Sequence, residues 1–275
     1  MSLIHRLWMR SVFAALIGAG GLVAPARAAD LPVDVELVLA VDVSRSMDAS
    51  EQALQRQGYI NALRHPEVIA AIRSGLHGRI ALTYFEWSAP NAERIIVPWS
   101  LIDDTGAADA VAARIGPAGI SGRFGTSISS SLLFAASLFE NNGFAGERLV
   151  IDVSGDGPNN VGLPVVPARD AVLGRGIVIN GLPIVLRPGR SGFSAFDIAD
   201  LDLYYRDCVV GGPGAFTVPV TATDQFETAI RRKLVLEIAS IPPPRAETPL
   251  LHRAADRRQA DCLIGESQRR NWMTR

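Results

Sequence analysis

The most constraining feature of the chain is an apolar run, Val35 to Val41, broken only by Glu36 and ending at Asp42 in a polar cluster, Asp42-Val43-Ser44-Arg45-Ser46. Such a run reads as a strand buried on both faces, and the cluster as the loop it delivers at its carboxyl end. Leu149 to Val153 repeats the design and closes in Ser154-Gly155-Asp156-Gly157. Strand patterns also cover Arg79 to Trp87, Arg94 to Trp99, Gly176 to Ile184 and Phe216 to Val220. The short gap at Ala89-Pro90-Asn91 makes the second and third strands an antiparallel hairpin.

Helical patterns alternate with these strands. They cover Ser50 to Leu63 with Ser50 as cap, Glu67 to Ile72 after Pro66, and Asp104 to Ile115. Further helices are expected over Ser127 to Asn141, Val165 to Leu173, Phe196 to Tyr205 and Asp224 to Ala239. Alternation of this kind predicts an α/β fold, a doubly wound, mostly parallel central sheet flanked by helices, with one antiparallel edge strand.

Residues 1–28 read as a signal peptide. Arg6 and Arg10 precede an apolar stretch, Ser11 to Val23, and Ala26-Arg27-Ala28 offers small residues for cleavage near Ala28. The stretch is shorter than the roughly 20 residues of a spanning helix. The mature chain is therefore expected to be periplasmic or secreted, with no membrane span after signal removal. Residues 29–240 form the expected domain. Beyond Pro242-Pro243-Pro244, the Pro- and Arg-rich segment 241–275 is expected to be a poorly ordered tail. Cys208 and Cys262 are the only cysteines. In an oxidising compartment they are candidates for one disulfide, the alternative being two separate thiols.

A formal net charge of -1 removes the usual signal for nucleic-acid binding. Lys233 is the only lysine and lies in no glycine-rich turn, which excludes a phosphate-binding P-loop. No G-x-S-x-G elbow and no paired histidines are present. What remains is a set of hard oxygen donors at strand ends: Asp42, Ser44 and Ser46, then Gly125-Thr126-Ser127, then Asp156. Oxygen donors without nitrogen or sulfur suit Mg2+, with Mn2+ or Ca2+ as alternatives, rather than zinc. Asp42, Ser44 and Ser46 alternate, so an extended loop aims all three to one side. Thr126 alternatively caps the helix that follows it.

The D-x-S-x-S motif of Asp42, Ser44 and Ser46, with Thr126 before a central helix and Asp156 after the next buried strand, resembles the metal-ion-dependent adhesion site of von Willebrand factor type A domains. The likeness spans Val33 to Ser240, and is similar to a bacterial exported group of such domains of unassigned function. It implies that Ser44 and Ser46 ligate the metal directly, that Thr126 and Asp156 do so directly or through water, and that Asp42 orients the site. It also implies a partner protein whose Asp or Glu completes the metal shell. The chain departs from the pattern at Gly155, where the family carries a hydroxyl residue before the last aspartate, and it adds an acid at Asp152. Arg45, Arg123, Phe124 and Asn159 are expected at the rim of the site. The resemblance makes the chain a binding module and not an enzyme. The alternative is a metal-dependent hydrolase of phosphate or other anionic esters, with Asp152 or Asp156 as its base.

Overall fold

The computed structural model describes residues 29–116, 122–186, 198–239 and 258–274; the expected signal segment 1–28 lies outside them. The first half of the chain runs β1 (Leu31–Val33), β2 (Val35–Asp42), α1 (Ala49–Arg64), α2 (Pro66–Arg73), β3 (Ile80–Trp87), β4 (Arg94–Ile102), α3 (Thr105–Ile115) and α4 (Ile128–Leu138). The second half runs β5 (Phe144–Gly146), β6 (Leu149–Gly155), α5 (Val165–Leu173), β7 (Val178–Pro183), α6 (Leu201–Tyr204), α7 (Phe226–Ala239) and α8 (Ile264–Met273).

Every residue of β2 is buried, because the strand is central and both its faces are covered. Strand order in the main sheet is β4-β3-β2-β6-β7. All neighbours are parallel except β3 and β4, which pair antiparallel with Ile80 opposite Ile102. Alternation along β2 assigns its side chains to two layers. Leu37, Leu39 and Val41 pack with Tyr59, Leu63, Ile72, Ile230 and Leu234 from α1, α2 and α7. Val38 and Ala40 pack on the opposite face with Ile128 and Leu132 of α4, Val165 of α5 and Tyr204 of α6. The sheet is therefore doubly wound.

Several local details differ from the sequence reading. Helix α1 is capped by Asp48, whose side chain accepts from the N–H groups of Ser50 and Glu51 while Glu51 returns a bond to the Asp48 N–H. That reciprocal capping box outcompetes Ser50 as cap. The Phe216 to Val220 strand is reduced to two bridges beside β7, Gly181 with Thr217 and Ile184 with Val220. The helix expected over Phe196 to Tyr205 is realised as α6 and a π turn, Tyr205–Val209, its first two residues lying outside the described ones. A small parallel pair, β1 with β5, was not anticipated.

The largest correction concerns the tail. Of the segment 241–275, expected to be a poorly ordered tail, residues 258–274 are ordered against the domain and carry α8, while 241–257 and 275 lie outside the described residues. Ala260, Cys262 and Ile264 pack on the α4–α5 layer, and Cys262 is joined to Cys208 with a Cα–Cα distance of 5.5 Å. Ala260 N–H also donates to Asp207 Oδ2 at 3.0 Å. A polar composition thus concealed two apolar anchors, Ala260 and Ile264, and a covalent one, Cys262. Among the described residues no helix is long and apolar enough to cross a membrane.

Candidate metal centre

In parallel α/β sheets, ligands bind beyond the carboxyl ends of strands where the strand order reverses. Here that point lies between β2 and β6, since β2 continues to β3 on one side and to β6 on the other. The register places Val41 opposite Ser154, so the Asp42–Ser46 loop and the Gly155–Gly157 turn leave the sheet side by side.

These two loops meet through hydroxyls. Ser44 Oγ and Ser46 Oγ are 2.7 Å apart, and Ser46 Oγ donates to Asp156 Oδ1 at 2.6 Å. Asp42 Oδ1 accepts from Ser44 N–H at 2.6 Å, curling the loop back over the strand end. Residues 122–125 close the third side. Gly122 lies so near the first loop that a Cβ would stand 1.6 Å from Val43 O, a position only glycine can hold. Ser127, not Thr126, caps α4, accepting from Ser130 N–H. Thr126 faces the third cluster instead: a Cβ on Gly157 would stand 4.0 Å from Thr126 Oγ1.

The donor set fits a hard divalent cation. Asp42 is fully buried, and its Oδ2 has no hydrogen-bond partner. Burial pushes its carboxyl up to about 7, against hydrogen bonds from Ser44 and from the Asp156 backbone that lower it. A cation beside that oxygen would offset the desolvation that raises it. Two carboxylates and the hydroxyls of Ser44, Ser46 and Thr126 supply oxygens alone. Among the described residues no group of three or more His, Cys, Asp or Glu could hold a metal, so any cation here depends on the hydroxyls. Gly155 also finds a reason. A Cβ there would stand 2.7 Å from Tyr205 Oη and 2.9 Å from Asp42 Oδ2. The buried tyrosine occupies the space that a hydroxyl residue would need.

A family model described as a protein of unknown function, DUF1194, matches residues 32–242. The chain belongs to that family. Among curated proteins none matches. The fold is that of a von Willebrand factor type A domain, shared with a pilus adhesin, SpaC, from Lactobacillus rhamnosus GG (TM-score 0.56, 11% identity, 77% of this chain and 31% of that one). It is shared also with proximal thread matrix protein 1 of the mussel byssus (0.53, 14%, 76% and 49%) and a von Willebrand factor type A protein from Catenulispora acidiphila (0.51, 16%, 75% and 43%). One structure of the mussel protein has a zinc-occupied adhesion-site motif. This DUF1194 chain spans about half or less of those solved chains.

Around the five oxygen-bearing residues, Arg45, Arg123 and Phe124 are exposed. The Arg45 guanidinium lies 4.6 Å from the centre of the Phe124 ring, a cation–π contact that presents both at the mouth of the site. Asn159 is not a rim residue, as the sequence had led us to expect. It is fully buried, accepting from Ser129 N–H at 3.0 Å and donating to Leu163 O and to Glu266 Oε1 of α8. Its neighbour Asn160 exchanges two bonds with Thr126, one from Thr126 N–H to its Oδ1 and one from its own N–H to Thr126 O. The pair clamps the start of α4 to the third cluster. A cleft beside Ser46 and Asp156 is lined by Glu51, Ile184, Val185 and Leu186. Tyr205 escaped the sequence reading, because it reaches Gly155 and Asp42 from a segment about fifty residues later in the chain than Gly155. Asp152, named as one candidate base, points away from this face and is ion-paired with Lys233 at 2.7 Å.

Proposed function

We propose that this chain is an exported protein-binding module that holds a divalent cation through Asp42, Ser44, Ser46, Thr126 and Asp156. Mg2+ is the expected ion, Mn2+ or Ca2+ being alternatives on the same chemistry. The observation that carries the reading is the Asp42 Oδ2 atom, buried without a hydrogen-bond partner beside the Ser44–Ser46–Asp156 hydroxyl chain. Within the site, Ser44 and Ser46 present neutral oxygens, Asp42 and Asp156 offset the cation's charge, and Thr126 is held in place by Asn160. The cation, when bound, supplies a Lewis-acidic position for an incoming carboxylate, so the partner is a protein bearing an exposed Asp or Glu. Arg45 and Phe124 at the mouth would meet the residues flanking that acid. The relatives of like fold that are adhesin and matrix proteins support a binding role of this kind.

The test is calorimetric titration of Mg2+, Mn2+, Ca2+ and Zn2+ into the chelator-treated chain and into Ser44→Ala. Saturable binding by the wild type, weakened at least about tenfold by the loss of one ligand oxygen, is the expected result. Equal affinity in the two proteins would remove the site.

A further inference from the structure

On the side of β6 away from the metal face, the one lysine of the chain is sealed in the interior. Lys233 projects from α7 between two acids. Its Nζ lies 2.7 Å from Asp152 Oδ1 on β6 and 2.5 Å from Glu237 Oε1, one helical turn further along α7. All three side chains are at most 1% exposed. Asn180 of β7 donates to Glu237 Oε1 at 3.1 Å and accepts from Phe216 N–H, which fixes the glutamate, and the Phe216 ring stands 5.8 Å from Nζ.

As an ion cluster this arrangement is poor. A buried ion pair offsets its desolvation only when the remaining lone pairs are also satisfied. Here Asp152 Oδ2 and Glu237 Oε2 are both buried without a hydrogen-bond partner. Two acids share one base, and burial raises both, Glu237 to about 7, with Lys233 opposing the shift. Burial thus makes Glu237 hold a proton more readily than a free carboxylate does, beside an amine and a second carboxyl group.

We propose that Lys233 and Asp152 condense into an intramolecular amide, with Glu237 as the proton-transfer group. The Lys233 ammonium first gives a proton to the Asp152 carboxylate, leaving a neutral amine and a neutral acid. The Nζ lone pair attacks Asp152 Cγ, forming the C–N bond, while the protonated Glu237 donates to the carboxyl oxygen. Nζ returns a proton to Glu237, the Cγ–O bond breaks, and the hydroxyl leaves as water. The products are one secondary amide, one water and an unchanged Glu237, so no oxidant or co-reactant is required.

Two physical effects favour the reaction. In water, hydrolysis of such an amide is driven by ionisation of its products, and burial at this site makes those ions costly. Fixed juxtaposition of amine and carboxyl groups can supply an effective molarity of about 10⁵–10⁸ M. The amide would staple α7 to the strand that ends at Gly155, preventing the helix from sliding along the sheet. The inference does not depend on the metal reading, since no ligand residue takes part.

The experiment is intact mass measurement of the full folded chain after disulfide reduction and denaturation, with proteolysis to find a branched peptide joining the Asp152 and Lys233 segments. The expected mass is lower by one water than that of the uncondensed chain. Because the chain has a single lysine, amine-reactive labelling of the denatured protein should then mark the N-terminus alone. Lys233→Arg should have the uncondensed mass. Asp152→Asn should release ammonia in place of water and reach the same final mass as the condensed wild type. A wild-type chain of uncondensed mass with a labelled Lys233 would overturn the amide. Condensation persisting in Glu237→Gln would overturn the role given to Glu237.

Discussion

A buried carboxylate oxygen left without a donor costs about 1–3 kcal/mol or more, since its hydration is lost and not replaced. Asp42 Oδ2 carries such a cost at the end of the central strand, and it shares its surroundings with Tyr205 Oη and the Cα of Gly155. The glycine is thus a packing requirement of the site as well as a departure from the family's pattern. Gly155→Ala would drive a methyl group against the tyrosine hydroxyl and the carboxylate, displacing at least one of them. The expected loss is about 1–3 kcal/mol in denaturant unfolding, the usual cost of overpacking. Cation affinity in calorimetry should fall with it. An alanine variant with wild-type stability and affinity would show that neither atom is held where the structure places it.

At the scale of elements, the Cys208–Cys262 link closes a loop with a sequence separation of 54 and fastens α8 beside the Asn159 clamp. Gly265 lies against Asn159 O, where a Cβ would stand only 2.2 Å away. Cys262→Ser should lower unfolding stability by about 2–4 kcal/mol in the chain-entropy account of such loops. The same change should loosen Asn159, and through it the start of α4. Comparing denaturant midpoints of wild type and variant, with and without reductant, checks this: only the wild type should respond to reductant.

The same element shows why the sequence was legible in one place and not in another. β2 and β6 announce themselves through continuous apolar runs ending in polar turns, and their alternating faces dictate the helical layers. Four of the proposed oxygen donors, Asp42, Ser44, Ser46 and Asp156, could be picked out because they follow those runs directly, whereas Thr126 stands before α4 and follows neither. Helix α8 carries no such pattern, its attachment resting on Ile264, a nearby disulfide and one hydrogen bond, from Asn159 to Glu266, 107 positions apart. Asn159 reads as a rim residue until α8 and Ser129 are seen to occupy its polar atoms.

Across the whole molecule, the proposed metal site belongs to the least peripheral part of the fold. Asp42 is the last residue of β2, which pairs with β3 along its length and with β6 from Glu36 to Val41. Freeing Asp42 by local opening would mean breaking pairings at the centre of the sheet, so loss of the cation and loss of the fold should be coupled. A ligand that binds only the folded state stabilises it by about 2.7 kcal/mol at a hundred times its Kd. If the coupling is global, that increment should appear in hydrogen-exchange protection of the most slowly exchanging amides of β2 and β6. Chelation should remove it, and at the same cation concentration Ser44→Ala, at least about tenfold weaker, should show no more than about half of it. Were the cation to protect only the amides of residues 42–46, the site would be a surface loop that opens independently, and the central position argued for Asp42 would not govern its energetics.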